Sequence, residues 1–257
     1  MQLGFVGGDA RLSACAARAA EEGHRTYFYT EGSPLDELLS LVDLLVLPVP
    51  LTKDGSFISG TRLPLKSLES VSVPMLGGFV PAPLASRVYD IAAEEDFTLK
   101  NAALTAEGGI AGALSATGRS FYNLSVGVIG YGRIARLLLG RLASFGAPLT
   151  VYARKSDART DASLRGIRAV SLEEDTVFTE EVIFSTVPAP VFGRNAVSRA
   201  IYVCDLGGGM PRALPRTSGG EVEVTSYRGV PGVFAPLAAG DIIYESLRAY
   251  IGRLGDR

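Results

Sequence analysis

Histidine, lysine and cysteine are scarce in this 257-residue sequence, which carries one His (His24), four Lys (Lys53, Lys66, Lys100, Lys155) and two Cys (Cys15, Cys204). Each shortage excludes a chemistry. Two widely separated cysteines without metal-type spacing provide no metal cluster, and they read as reduced, small apolar residues of an intracellular protein. Many enzymes that move a hydride to a ketone use a histidine, or a tyrosine with a nearby lysine, as the proton donor. No Tyr here is followed four positions later by Lys, and His24 falls between the first helix and the second strand, at the amino edge of a sheet that would bind ligands at its other edge. The usual alcohol and 2-hydroxy-acid chemistries are therefore disfavoured, whereas a hydride transfer driven by aromatisation demands less of a side-chain acid. A net charge of −2 without a long run of one sign excludes a concentrated basic face for nucleic acid. No apolar run of about 20 residues is present to span a bilayer. The start, Met1 to Val6, has no basic leader region and enters directly what reads as a strand, so a cytoplasmic protein without a signal peptide is expected.

What is present is alternation. Apolar residues make up 47 % and charged residues 20 %, an ordinary globular composition. Strand-like runs at 3–7, 27–29, 41–49, 73–79 and around 98–103 alternate with an alanine-rich helix at 12–22. The set predicts a flavodoxin-like first domain, a doubly wound parallel sheet covered on both faces. Residues 105–117 read as a linking helix, with Thr105 as N-cap and Glu107 in its first turn. A second series follows: strands at 125–129, 149–153, 168–170, 182–186, 201–205 and 222–227, with a helix at 134–145. About six strands in βαβ order predict a Rossmann domain. The apolar spacing of 241–254 predicts an amphipathic helix that returns to the first domain. The expected boundaries are 1–104 for the first domain, completed by 241–257, and 105–240 for linker and Rossmann domain.

The sharpest motif is Gly127-Val128-Ile129-Gly130-Tyr131-Gly132-Arg133-Ile134-Ala135. It fits the G-x-G-x-x-G/A dinucleotide fingerprint, with Gly130 for the tight turn, Gly132 for close approach of the pyrophosphate and Ala135 for close helix–strand packing. The segment after the next strand, Ala153-Arg154-Lys155-Ser156, has no acid to grip the ribose hydroxyls of NAD. Its two cations and a hydroxyl suit the 2′-phosphate of NADP, and the other reading is a solvated basic loop. NADP is favoured over NAD. Thr186-Val187-Pro188 ends the fourth strand near the expected nicotinamide, either as a wall of the ring pocket or as a plain strand-to-loop turn.

Several segments together resemble the family of the dipicolinate synthase A-subunit: Gly7-Gly8-Asp9-Ala10-Arg11, Asn101 with Thr105-Ala106-Glu107-Gly108, the segments Val128 to Arg133 and Ala153 to Ser156, and Pro231 to Pro236 with Ala239-Gly240. The resemblance implies a fold like that of formate and glycerate dehydrogenases. It also implies NAD(P)-linked oxidation of a dihydrodipicolinate-type ring to the aromatic diacid, partnership with a flavoprotein-like dipicolinate synthase B-subunit, and action in the mother-cell cytoplasm during sporulation. Departures are Leu237 and Ala238 where the family has Lys-Thr, Leu104 where it has Pro, and a glycine-rich Cys204 to Pro211 segment. A small dicarboxylate needs cations near it. Arg11, held by Asp9, is the first candidate, or the pair is a helix cap with a surface charge. Lys53 and Glu107 are candidates for catalysis, or a solvated lysine and a helix-dipole complement. Thr105 and Arg228 are further substrate candidates. A non-catalytic NADP-binding module, or a reductase of another small carboxylic acid, are the alternative functions. A homo-oligomer is compatible with all of them.

Overall fold

The computed structural model describes residues 1–190 and 192–255, and the chain divides into two compact units, Met1–Asn101 with Ala235–Arg257, and Ala102–Phe234. In the first unit, β1 (Gln2–Phe5), α1 (Ala10–Glu21), β2 (Arg25–Phe28), α2 (Leu35–Leu39), β3 (Leu44–Val46), β4 (Met75–Gly77) and β5 (Val88–Asp90) follow in order. The strands form an all-parallel sheet in the order β2-β1-β3-β4-β5. This is the doubly wound pattern, with its topological switch between β1 and β3. Alternate residues of a strand point to opposite faces. Leu44 and Val46 therefore join the core that includes Leu12, Cys15 and Ala19, while Leu45 and Leu47 join Leu38, Val42, Ile58 and Leu68 on the other face.

α3 (Glu95–Thr117) carries the chain into the second unit. There β6 (Val126–Ile129), α4 (Arg133–Ser144), β7 (Leu149–Ala153), α5 (Ser156–Leu164), β8 (Arg168–Ser171), β9 (Val177–Phe178), β10 (Val182–Ser185), β11 (Ala196–Val197), β12 (Tyr202–Asp205), β13 (Ala213–Pro215), β14 (Glu221–Ser226) and α6 (Val230–Phe234) follow. The main sheet runs β13-β14-β12-β10-β6-β7-β8. Without the antiparallel edge strand β13 this is the 3-2-1-4-5-6 order of a Rossmann domain, whose switch point lies between β6 and β10. β9 and β11 form a separate two-stranded ladder. The final helix, α7 (Pro236–Gly255), lies in the first unit and packs along α1.

The structure corrects several expectations. The stretch around 98–103 is not a strand: α3 begins at Glu95, with Glu95 and Asp96 in its first turn, where carboxylates favour the positive end of the helix dipole. Thr105 is therefore no N-cap but a buried residue inside the helix, and Glu107 lies well past the first turn. α3 is hard to read because its apolar residues do not gather on one stripe. Phe97 packs in the first unit's core, and Ala106, Ile110 and Ala113 in the second's, so the helix meets apolar neighbours on more than one side. The fifth strand of the first sheet is the three-residue β5 instead. The second sheet has seven strands rather than six, because β13 folds back on β14. α5 has no counterpart among the expected elements, and α7 starts at Pro236, ahead of the expected Asp241. Asp256 and Arg257, expected at the end of that last helix, lie outside the described residues.

Both cysteines are free and buried. Burial pushes each thiol pKa up to about 12, which keeps them protonated and inert at neutral pH. α1 and α7 meet closely at Gly240, where a Cβ would lie 2.8 Å from both the Arg11 carbonyl oxygen and the Cys15 amide nitrogen. Helix propensity alone favours a larger residue there by under about 1 kcal/mol. Backbone atoms cannot yield as a flexible side chain can, and overpacking costs about 1–3 kcal/mol. Gly240→Val should therefore lower the stability of the protein by roughly that amount. An unchanged unfolding midpoint in urea would contradict this packing.

Candidate functional site

The fingerprint lies at the carboxyl end of β6, beside the β6–β10 switch point. Gly130 has φ +99°, which L side chains rarely adopt, and a Cβ there would stand 2.6 Å from Thr186 Oγ1. Thr186 closes the turn from the β10 side: its amide and hydroxyl both donate to the Ile129 carbonyl, at 2.9 and 3.0 Å. Gly132 is the N-cap of α4 with ordinary φ, no side chain caps that helix end, and a Cβ added there would meet no atom within 4 Å. An open space above an uncapped helix start is what a pyrophosphate requires, since the first N–H groups of a helix have no partner within it. Ala135 is fully buried against the sheet, so α4 packs closely on β6. The residues present fit a dinucleotide.

The neighbouring positions divide by role. Tyr131 is half-buried and its hydroxyl donates to Asp161 at 2.6 Å, a bond that ties the glycine turn to α5; burial and that carboxylate hold the phenol protonated. Arg133 is exposed in the first turn of α4, and Ile134 packs against the core. At the end of β7, Ala153 is buried while Arg154, Lys155 and Ser156 are exposed, and their side chains form no hydrogen bond or ion pair among the described residues. Lys155 is the N-cap position of α5 and Ser156 its first residue. The corner therefore combines two cations, a hydroxyl and a helix start. A third cation, Arg159, is not among the expected site residues: its guanidinium donates to the carbonyls of Ala153 and Arg154, at 2.8 and 2.5 Å, and holds the corner in shape. It lies five positions after Arg154, and only knowing that α5 begins at Ser156 brings it back to that loop.

Val187 and Pro188 leave β10 against the loop after β12. There the glycine-rich run has a direct reason: Cβ atoms at Gly207 and Gly209 would collide with the backbone of residues 186 to 189. Buried Asp205 organises that run, accepting from the amides of Gly207, Gly208 and Met210 at 3.1, 2.9 and 3.0 Å. An Asp followed by glycines is a turn signal in its own right, and it is present in the sequence. Arg228 is exposed on the loop between β14 and α6. Glu107 pairs with Arg141 of α4 at 2.8 Å, so its carboxylate already has a cationic partner.

In the first unit, Asp9 is the N-cap of α1. It accepts from the Arg11 amide at 3.1 Å and grips the Arg11 guanidinium through Nε at 2.9 Å and Nη2 at 2.8 Å. Asp9 both caps the helix and holds the arginine, and Arg11 is nearly buried rather than a surface charge. That guanidinium holds the Asp9 carboxyl below the usual carboxylate range. Lys53 is exposed on the turn that Asp54 shapes by accepting from the amides of Ser56 and Phe57. His24 lies at the amino edge, its Nδ1 3.4 Å from the Met1 ammonium; burial and that charge lower its pKa. Among the described residues no helix is long and apolar enough to cross a membrane.

Residues 97–199 match the family model of the D-isomer specific 2-hydroxyacid dehydrogenase, NAD binding domain. The match identifies a nicotinamide-coenzyme domain of the dehydrogenase type in this chain. No curated protein matches the sequence. Among solved structures, the A-subunit of dipicolinate synthase from Bacillus halodurans is similar over 97 % of this chain and 97 % of its own, with TM-score 0.69 and 20 % identity. Dipicolinate synthase, A chain, from Bacillus subtilis matches 100 % of this chain and 97 % of its own, with TM-score 0.71 and 20 % identity. NAD-dependent formate dehydrogenase from Staphylococcus aureus, in complex with NAD, matches over 99 % and 95 %, with TM-score 0.51 and 15 % identity. The resemblance seen in the motifs thus extends along the chain as a shared fold of two doubly wound α/β domains.

Gly132 offers a clean test because a side chain there meets nothing in the protein itself. Gly132→Val should cost about 1 kcal/mol of stability, the difference between a good and a poor N-cap, yet weaken coenzyme binding by tenfold or more, about 1.4 kcal/mol or above. Calorimetric titration with NADPH and NADH, beside a melting curve, checks both. Unchanged affinity would mean the turn is not where the pyrophosphate lies.

Proposed function

We propose that this protein is an NADP-dependent oxidoreductase that removes a hydride from a small dihydro-ring dicarboxylate, in the manner implied by its likeness to the A-subunit of dipicolinate synthase. One observation carries the reading: a glycine turn with an uncapped helix start stands next to a strand end that bears cations and no acid. Gly130, Gly132 and the start of α4 would hold the pyrophosphate, with Tyr131, Arg133 and Ile134 flanking it. Ala153, Arg154, Lys155 and Ser156 would hold the adenosine ribose and its 2′-phosphate. Thr186, Val187 and Pro188 would border the nicotinamide. When bound, the coenzyme supplies a hydride acceptor.

The protein's own part is to bind, orient and select. Two cations beside a 2′-phosphate favour NADP, and the first acid, Asp157, comes only in the first turn of α5 rather than at the end of β7, where it would grip the ribose hydroxyls of NAD. Oxidation of a dihydro ring passes one hydride to the coenzyme and one proton to solvent water and gives an aromatic product, so no side-chain acid need protonate an alkoxide. That agrees with a chain whose one histidine lies at the amino edge of its sheet. In the first unit, Asp9-held Arg11 is assigned to a carboxylate of the substrate; Arg228 of the second unit is a further candidate cation. Lys53 is assigned to charge recognition rather than proton transfer, and Glu107 to its ion pair with Arg141. By the same resemblance the partner assigned is a flavoprotein-like B-subunit, and the location the mother-cell cytoplasm of a spore-forming bacterium.

A second reading has its own observation. Leu237 and Ala238 stand in the first turn of α7, where the family that the sequence resembles has Lys-Thr, and Leu237 is 74 % exposed. A chain that binds NADP without turnover fits that change. The two readings separate in one assay. Purified protein, with its B-subunit partner, given NADP and dihydrodipicolinate should produce the ultraviolet absorbance of the aromatic diacid. Coenzyme binding without any product would select the second reading.

Coenzyme choice is checked independently. NADPH should bind more tightly than NADH, and the double substitution Arg154→Ala, Lys155→Ala should remove about 10- to 100-fold of that preference while leaving NADH affinity nearly unchanged. A wild-type preference for NADH would contradict the role given to this corner.

A further inference from the structure

The first unit has a switch point of its own, and the chain has built a cavity there. Doubly wound sheets bind ligands outside the carboxyl ends of the strands where the order reverses, which in this unit is between β1 and β3. A cavity of about 50 Å³ lies at that place, lined by Asp9 and Arg11 after β1, by Lys53 on the chain after β3, and by Ser59 and Gly60. Its floor is backbone against backbone: the Gly8 amide donates to the Ser59 carbonyl at 2.7 Å, and Gly7, Gly8 and Gly60 all have positive φ. A Cβ at Gly60 would fall on the Gly8 carbonyl, and one at Gly7 on the Ser59 carbonyl. Glycine is required for the two segments to meet.

Ser59 is the feature without a structural explanation. It is only 8 % exposed, it lines the cavity, and its hydroxyl has no hydrogen-bond partner. A buried hydroxyl left unpaired is destabilising. Arg11 has a matching surplus. It is nearly buried, Asp9 engages Nε and Nη2, and Nη1 forms no hydrogen bond among the described residues. Lys53 and Arg11 against Asp9 leave one net positive charge on the lining. Donors without acceptors, and a charge without a counter-charge, define a complementary ligand: a small oxyanion.

We propose that Arg11, Lys53 and Ser59, at the β1–β3 switch point, form a binding site for one carboxylate of the acidic substrate. A cavity of this size takes one carboxylate group and leaves the rest of the molecule outside. Asp9 sets the orientation of Arg11 and so acts as a positioning residue. The assignment of the carboxylate to the substrate rests on the oxidoreductase reading, whereas the oxyanion site itself does not.

The test titrates the full-length protein calorimetrically with pyridine-2,6-dicarboxylate and, separately, with inorganic phosphate, each with and without saturating NADP. Wild type should bind the diacid more tightly than phosphate. Ser59→Ala and Lys53→Met should each weaken the diacid about tenfold, the range for a hydrogen bond or ion pair to a charged group. Ser59→Ala should at the same time raise the melting temperature by a few degrees, because it removes the unpaired hydroxyl. That combination, tighter folding with weaker binding, is what a merely structural serine would not give. Both variants should bind NADPH as wild type does, so a failure of the coenzyme reading appears in the NADPH titration and not here. Diacid affinity unchanged in both variants, no diacid binding to wild type under either condition, or phosphate bound more tightly than the diacid would each overturn the proposal.

Discussion

A helix whose first turn is capped by no side chain has N–H groups that must find an acceptor outside the helix. In this molecule that constraint recurs where the strand order of each parallel sheet reverses. At the β6–β10 switch the chain places two glycines at the start of α4, one to make the turn and one to leave room above it. Closing the helix end with a serine or aspartate would be the ordinary way to gain stability there, and the sequence does not use it. The result is an electropositive, open niche held by the rigid frame of β6, β10 and α4, with Thr186 pinned to the Ile129 carbonyl behind it. The corner to which the proposed function assigns coenzyme choice is its neighbour, where Arg159 fixes the backbone that presents Arg154, Lys155 and Ser156.

The same principle is met differently in the first unit. There the start of α1 is capped, by Asp9, but the cap is also the anchor of a nearly buried arginine. A short acid placed two residues before Arg11 thus satisfies the backbone and fixes a cation in one step. The cost is concentrated at Ser59, the one buried side-chain polar atom that lacks a partner among the described residues. A buried polar group left unpaired is rare enough in folded proteins that each one calls for a reason.

How much of this is legible in the sequence depends on how local each signal is. The glycine turn, the second Rossmann strand and the cation pair that follows it are contiguous, and the structure places β7 at Leu149–Ala153, the range expected. The final helix is legible from apolar spacing, and it does return to the first unit. Signals that depend on the fold are not. α3 has no apolar stripe because both cores take residues from it, so its opening turns resemble a strand and Thr105 resembles a cap. β5 is three residues long and reads as loop. Arg159 and Ser59 belong to their sites only because turns bring them there, and neither residue type in its own neighbourhood announces a role. Asp205 is within reach, since an acid before three glycines is turn chemistry, but beside the family pattern the run stands out first as a departure.

The proposed function depends on a pyrophosphate held at the start of α4, and a crystal structure of the protein grown with NADP tests it most directly. The pyrophosphate should lie over Gly132 and the first amides of α4, with the 2′-phosphate against Arg154, Lys155 and Ser156. Coenzyme density elsewhere on the molecule, or a side chain filling the space above Gly132 in the complex, would contradict it.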